Sequence, residues 1–407
     1  VQDFPDQAMA LAQEQREAIR AIVRDVTPRL IEVRRDIHRH PEVAHHEART
    51  TSLVMARLKE AGLAPRRLPG TGLTCDLGPD GPSRLAIRAD LDALPVQDRT
   101  GTPHASTVDG VAHACGHDAH VACALGAGLA LAELDRRGLL PGPIRLIFQP
   151  AEEVHPSGAL KVIAAGALDD VAAIIALHCD PRYEAGTIAI RPGPITSASD
   201  QVTIYAYGDG GHTSRPHLTQ DLVFATGQIV VQLPAVLDRR LDPRSGANLT
   251  WGAVHAGSVH NAIPGSAVIE GTLRVLDVRA WEEASQVLAD AVTHIAKPYG
   301  VRTEVRHERG VPPVDNEPGM ASLVAAAGRL MLGEGGVGVA EQSLGGEDFA
   351  WYTQKIPGAL VRLGTMAPGG PEYDLHQGDF DIDEAAIPVG TEVFVATAVA
   401  YASGARG

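Results

Sequence analysis

The run Arg-Leu-Ala-Ile-Arg-Ala-Asp-Leu-Asp at residues 84–92 decides the fold. Arg84–Ala89 reads as a short strand, and two carboxylates, Asp90 and Asp92, follow where it ends. The same arrangement recurs twice. Ile144–Gln149 is a strand stopped by Pro150, with Glu152 and Glu153 just beyond it. Ala172–Leu177 is a β-rich run followed by His178. Helical patterns lie between these strands: His117–Leu140, closed by Gly138 and Pro141, and Ser157–Leu168. Alternating strands and helices imply an α/β fold with a mainly parallel sheet covered by helices on both faces. Such sheets bind ligands beyond the carboxyl ends of their strands, so the three polar segments are able to converge on one crevice.

Outward from this core, residues 8–62 read as helical, with Leu30, Val33, Ile37, Leu53, Met55 and Leu58 near helical spacing and Gly62 as a stop. The pattern changes near residue 195. Gln201–Tyr207 is a strand, Asp221–Leu241 a helix, Ala247–His255 and Ala267–Val275 two strands, Arg279–Tyr299 a helix and Val301–Arg306 a strand. This β-α-β-β-α-β order is the ferredoxin-like split arrangement, and it buries its own core. The expected organisation is therefore a first domain over 1–194, an inserted domain over 195–310, and the return of the first domain over 311–407. The returning part carries the helix Ala321–Leu332, the strand Ala359–Leu363 and a terminal helix Asp383–Ala402. Gly333–Gly338 is Gly-rich but lacks the Lys-Ser/Thr of a phosphate loop, so no phosphate site is expected there.

Composition narrows the function. The chain has 407 residues, and 35 Lys and Arg against 50 Asp and Glu leave a net charge of −15. Roughly two to three domains fit that length. The acidic balance argues against nucleic acid or an anionic membrane surface as a partner, because both require a positive footprint. Aromatic residues make up only 4%, too few for base-stacking platforms. The longest apolar candidate, Val121–Leu134, falls short of a membrane span, and no basic-then-apolar leader opens the sequence. Four cysteines, at 75, 115, 123 and 179, do not make a disulfide framework in a chain this long. Reduced thiols and a cytoplasmic location are the expectation.

The seventeen histidines point to chemistry. His-Ala-Cys-Gly-His-Asp at 113–118 opens a helix, and its Cys-x-His spacing lets the Cys115 thiolate and the His117 imidazole reach one metal region. Gly116 allows the tight bend between them. Thiolate, imidazole and carboxylate together suit Zn, and also Mn, Co or Ni. Tyr-Asp-Leu-His at 373–376 adds a further loop histidine. Singly these signals are weak, since paired glutamates usually mark a solvated face and Asp-x-Asp often caps a turn. Together, at the carboxyl edge, they read as a metal centre. A structural zinc site closes four ligands, whereas here Glu152 beside Glu153 remains for a water-activating base.

At this point the sequence resembles the di-metal aminoacylase/carboxypeptidase family that includes hippurate hydrolase and the indole-acetyl-amino-acid hydrolases. The resemblance runs from about residue 31 to residue 384. It rests on Arg-Arg-Asp-Ile-His-Arg-His-Pro-Glu (34–42), Arg-Ala-Asp-Leu-Asp-Ala-Leu-Pro (88–95), His-Ala-Cys-Gly-His-Asp (113–118), Phe-Gln-Pro-Ala-Glu-Glu (148–153) and Leu-His (177–178). Gly-Gly-His-Thr-Ser-Arg-Pro-His (210–217), Asn-Ala-Ile-Pro (261–264), Gly-Thr-Leu-Arg (271–274), Gly-Glu-Asp-Phe (346–349) and Leu-His (375–376) complete it. What it implies is a metallo-exopeptidase-like catalytic domain with an inserted lid and dimerisation domain, and a homodimer through that insert. Cys115, His117, Glu153, His178 and His376 would hold two divalent metal ions, with one ligand or a water shared between them. Glu152 would be the general base, Asp92 would orient a ligand from behind, and Asp90 would lie beside it. His212 would reach the scissile carbonyl, in its own subunit or across the dimer. Asn261 and Arg274 would hold the substrate carboxylate.

The implied substrate is a small N-acyl-amino acid or short peptide, and the implied reaction is amide hydrolysis. A carbamoyl-amino-acid hydrolase or a dipeptidase of the same architecture is the runner-up. A catalytically inactive binding protein would be expected to lack a ligand or Glu152, and none is missing. The chain departs from the family pattern at His45 and His46, read as surface residues, at Cys179, read as a buried neutral thiol, and at Thr213-Ser214, where relatives carry a small apolar pair.

Overall fold

A computed structural model describes residues 11–81 and 83–404. The chain divides into two compact units. The first comprises Val1–Gly193, Asp315–Glu341 and Trp351–Gly407; the second comprises Pro194–Val314 and Gln342–Ala350.

In the first unit the helical region predicted over 8–62 is two helices, α1 (Gln13–Arg39) and α2 (Ala48–Glu60), and residues 8–10 lie outside the described residues. Pro41 ends the first, because the residue before a proline is pushed out of helical geometry. Glu42 starts the second by accepting from the amides of Arg49 at 2.9 Å and Thr50 at 2.8 Å. The strands are β1 (Arg66–Arg67), β2 (Leu73–Leu77), β3 (Arg84–Asp90), β4 (Ile144–Gln149), β5 (Val171–Glu184) and β6 (Ile188–Ile190). Helices α3 (His117–Arg136) and α4 (Gly158–Ala164) are interleaved with them. The second unit intervenes before the remaining elements of this sheet.

In the second unit β7 (Ala198–Tyr207), β8 (Gly211–His212), α5 (Leu222–Arg240), β9 (Asn248–Ala256), β10 (Ala262–Ile263), β11 (Ser266–Val275), α6 (Val278–Ala296) and β12 (Arg302–Val311) follow in order. Four of the strands form one antiparallel sheet in the order β9-β11-β7-β12, and β8 pairs with β10 as a separate ribbon. This is the β-α-β-β-α-β arrangement read from the sequence. Asp221 and Asp277 cap its two helices by accepting from the amides of Phe224 and Ala280. The segment Gln342–Ala350 also joins this unit, which the range 195–310 leaves out. Tertiary hydrogen bonds hold it there: Ser343 donates to Ile195 O at 2.9 Å, and Ser197 donates to Leu344 O at 2.8 Å.

Back in the first unit come α7 (Pro318–Leu332), β13 (Val337–Val339), β14 (Gly358–Met366) and α8 (Ala386–Gly404). The eight-stranded sheet runs β1-β2-β4-β3-β5-β14-β6-β13. Its centre, β4-β3-β5-β14, is parallel, whereas β2 lies antiparallel to β4 and β6 antiparallel to β14. The sheet is therefore mixed, with the predicted parallel order in the middle and again at the edge, where β13 pairs with β6 in parallel. In the middle the strands are buried along nearly their whole length, as the apolar runs of β3 and β4 require. Helix α3 is buried on nearly every side, with α1 and α8 packed against it. By length and composition α8 is apolar enough to cross a membrane, yet its side chains are largely buried in this unit's core.

Candidate metal centre

The parallel order β4-β3-β5 places three carboxyl-end segments side by side. Asp90 closes β3, Glu152 and Glu153 follow β4, and His178 lies within β5, which runs on to Glu184 rather than ending before the histidine. The register pairs His178 with Arg362 of β14. Cys115 and His117 flank Gly116, the residue that starts α3 at φ +84°. That left-handed turn, which suits glycine, brings a thiol and an imidazole to the mouth of the same crevice. His376 comes in from a loop at φ +64°, and its amide donates to Ala114 O at 2.7 Å, which ties the loop to the 113–118 segment.

The five predicted ligands meet. Cys115, His117 and His178 offer donor atoms within 4.8 Å of one another, as do Cys115, Glu153 and His376, and also His117, Glu152 and Glu153. Cys115 Sγ lies 3.5 Å from His178 Nε2. Glu153 Oε1 lies 3.8 Å from His117 Nε2 and 3.4 Å from His376 Nε2. His117 Nε2 and Glu153 Oε1 are buried without a hydrogen-bond partner among the described residues. Buried polar atoms are normally satisfied, so two orphans facing each other in a ring of sulfur, nitrogen and carboxylate ligands fit a bound cation.

Second contacts aim these ligands. His117 Nδ1 donates to the Asp92 carbonyl at 2.8 Å, and His178 Nδ1 donates to the Cys179 carbonyl at 2.7 Å. Both rings therefore turn an Nε2 lone pair toward the cluster. The Asp92 carboxylate accepts from the Glu152 amide at 2.9 Å and the Glu153 amide at 3.0 Å, fixing the start of the paired-glutamate loop. Burial opposes ionisation of Asp92, but His117 and those two amides hold its carboxyl below the usual range. Burial, with Glu153 adding to it, pushes the Cys115 thiol well up. A cation is what would convert that thiol to a thiolate. Burial pushes His178 well down, keeping it in the neutral form that ligates.

Residues 86–400 match peptidase family M20/M25/M40. The chain belongs to this family. It is 39% identical to an N-acetylcysteine deacetylase of Bacillus subtilis (strain 168), with 91% of this chain and 96% of that protein covered. It is also similar to the crystal structure of the Bacillus subtilis YxeP protein, described as a dinuclear metal-binding peptidase of the M20 family. That likeness has a TM-score of 0.81 and 36% identity over 92% of this chain and 98% of that one. A putative glutamate–cysteine ligase 2-3 of Rhodococcus jostii (strain RHA1) is 48% identical over 90% of this chain, but this chain spans only 46% of its length.

In this M20 chain the other predicted residues lie in the second unit. His212 is exposed on β8, with its Nδ1 accepting from the Ser214 amide at 3.1 Å and the Ser214 hydroxyl 2.9 Å away. Asn261 is exposed in the turn just before β10, and its carbonyl accepts from the Thr213 amide at 3.4 Å. Arg274 stands apart on β11, where its guanidinium donates to the Leu344 carbonyl. Elsewhere in this unit Asp200 accepts from His307 Nε2, and Ser285 Oγ meets His307 Nδ1, each at 2.6 Å. Ser285 sits inside α6, where its own amide belongs to the helix ladder. This Ser–His–Asp contact clasps the helix to the sheet.

Sequence reasoning missed a buried polar layer in the first unit. Arg34, 1% exposed, donates to Asp118 at 2.7 Å and to Asp381 at 2.6 Å, and His38 bonds Asp118 at 2.8 Å. Asp118 directly follows the candidate ligand His117. Glu47 is fully buried, accepting from the Ala151 amide at 2.8 Å beside Glu152 and from the Thr71 hydroxyl at 2.6 Å. The spacing of Arg34 and His38, four residues apart on one helix face, was the available signal. Nothing local marks Glu47. Cys179 is buried with its thiol pushed well up by burial, and His45 and His46 are exposed, each as read from the sequence.

Proposed function

We propose that this protein is a metal-dependent amidohydrolase that cleaves N-acyl-amino acids or short peptides at a free carboxylate. The observation that supports it most is the pair of buried orphan atoms, His117 Nε2 and Glu153 Oε1, set among Cys115, His178 and His376. Those five residues would hold two divalent cations. Zn, Mn, Co and Ni all suit the donor set. When bound, such ions lower the pKa of a water molecule and polarise the amide carbonyl.

In this reading the residues divide the work. Glu152 removes a proton from the attacking water at its carboxylate and then delivers it to the leaving amine nitrogen. Asp92 holds the two glutamate amides, which presents Glu152 and sets Glu153 where it would hold a cation. His212 donates a hydrogen bond to the carbonyl oxygen as negative charge develops there. Arg274 grips the carboxylate of the leaving amino acid through two parallel hydrogen bonds, and Asn261, which stands apart from it in one chain, reaches that carboxylate from a second copy. For Arg274 this means exchanging its present partner, the Leu344 carbonyl, for substrate.

The same reading gives a homodimer through the second unit. Val223, Phe224 and Val231 are exposed on one side of α5, and Val254 is exposed on the edge strand β9. An open sheet edge beside an apolar helix face supports pairing with a second copy. Four free, buried thiols support a cytoplasmic location. The deciding experiment measures metal content and amide hydrolysis, with and without chelator, across N-acyl-amino acids, N-carbamoyl-amino acids and dipeptides. Glu152→Gln should retain metal and lose about 10²- to 10⁴-fold in kcat. Full turnover in that variant would remove Glu152 from the mechanism.

A further inference from the structure

A third histidine is packed with the two candidate ligand histidines. The His120 ring centroid lies 4.9 Å from that of His178 and 5.3 Å from that of His117. Like them it is buried, at 1% exposure. Asp90, His117 and His120 offer atoms within 4.8 Å of one another, so at first sight they form a further cation site. The hydrogen bonds exclude that role. His120 Nε2 accepts from the Cys179 amide at 2.8 Å, which requires that nitrogen to be unprotonated. The proton is then on Nδ1, which donates to Asp90 Oδ1 at 2.6 Å. Both nitrogens are committed, and neither has a lone pair to give a metal. Asp90 is committed too. Its second oxygen accepts from Arg88 at 2.6 Å, and Arg88 in turn donates to Gln149 at 3.0 Å.

These bonds form a strut that ends on a ligand. The Cys179 amide that His120 holds belongs to the peptide group joining His178 to Cys179, and the Cys179 carbonyl receives the Nδ1 proton of His178. His120 thus fixes the main chain against which the His178 ring is oriented. The order is Arg88, Asp90, His120, the 178–179 backbone, and then His178 Nε2 aimed at Cys115 Sγ. We propose that His120 is a positioning residue for the cation that Cys115 and His178 would hold, acting through its hydrogen bonds to the Cys179 amide and to Asp90.

This inference rests on the proposed metal-dependent function, and its test separates the two. The probe is Zn²⁺ titrated into the metal-free full-length protein against a competing chelator, with Co²⁺ as a spectroscopic stand-in. Gln at 120 can place its side-chain oxygen where Nε2 stands and still accept from the Cys179 amide. Asn can reach Asp90 but not Cys179. His120→Asn should weaken Zn²⁺ binding at Cys115 and His178 by about 10- to 100-fold and shift the Co²⁺–thiolate band. His120→Gln should stay within a few-fold of wild type. Melting of the metal-free variants reports any general loss of fold. Equal affinities for wild type and His120→Asn overturn the proposal, as does a Gln variant as weak as the Asn variant. Nitrogen NMR of the ¹⁵N-histidine-labelled wild type gives a check that needs no variant. His120 should show a protonated Nδ1 and a bare Nε2 with and without Zn²⁺, and a metal-bound or protonated Nε2 overturns the assignment. A wild type that binds no Zn²⁺ at all would instead refute the function on which the strut depends.

Discussion

Asp92 offers the sharpest quantitative test of how the metal centre is built. Its two carboxylate oxygens accept the amides of Glu152 and Glu153 at 2.9 and 3.0 Å, and the residue is 1% exposed. Asp92→Asn replaces one acceptor by an NH₂ group that faces an N–H donor. One hydrogen bond to a charged acceptor is lost, about 1.5–3 kcal/mol, and leaving its donor unsatisfied costs about 1–3 kcal/mol more. Asp92→Ala removes both acceptors and should cost more than the Asn variant. The Asp92 carbonyl, which takes the His117 Nδ1 proton at 2.8 Å, survives either change. His117 should therefore keep its aim while the glutamate loop loosens. Denaturant unfolding of the metal-free proteins should show stability falling in the order wild type, Asn, Ala. Zn²⁺ affinity should fall by about 10- to 100-fold in the Asn variant. If Ala is no worse than Asn, or if both bind Zn²⁺ like wild type, the two amide contacts do not organise the loop.

The remaining predictions concern the supports beneath the centre. Arg34→Met should destabilise the protein by about 3–5 kcal/mol, because it leaves Asp118 charged and buried with one cationic partner fewer. A loss under about 1 kcal/mol in denaturant unfolding would show that the pair is dispensable. Burial lowers the affinity of His38 for its proton, but Asp118 and Asp98 outweigh it and raise the pKa to about 9. The stability this adds is fully present below pH 6.5, the unfolded value, and is lost as pH rises through about 9, at up to roughly 1.4 kcal/mol per pH unit. The melting temperature of wild type should therefore fall more steeply over that window than that of His38→Gln, and parallel curves would contradict the assignment. Gly116→Ala should cost about 2–4 kcal/mol, since alanine is disfavoured at positive φ and the added carbon overpacks its neighbours. That carbon would lie 2.9 Å from both Cβ and Sγ of Cys179. A variant that melts like wild type would mean the turn can relax.

Much of the site was legible in the amino-acid order because ligand chemistry is local. Cys115 and His117 flank one glycine, Glu152 and Glu153 are adjacent, and each group stands next to a strand or helix whose apolar pattern announces it. The split β-α-β-β-α-β order was readable for the same reason, since strand and helix periods are properties of a few successive side chains. The break in the first helical region was not read, although Pro41 marks it locally. The antiparallel flanks of the sheet, the membership of Gln342–Ala350 in the second unit, and the full burial of Glu47 had no such mark. Each is settled by hydrogen bonds between residues far apart in the chain.

The tautomer of His120 is the clearest case of the difference. Spacing singled out His117, three residues before it, and left His120 without a role. Folding put an amide donor against one ring nitrogen and a carboxylate against the other. A lone pair is available to a cation only where no proton donor has already claimed it, and that condition is set by the surroundings of the folded ring.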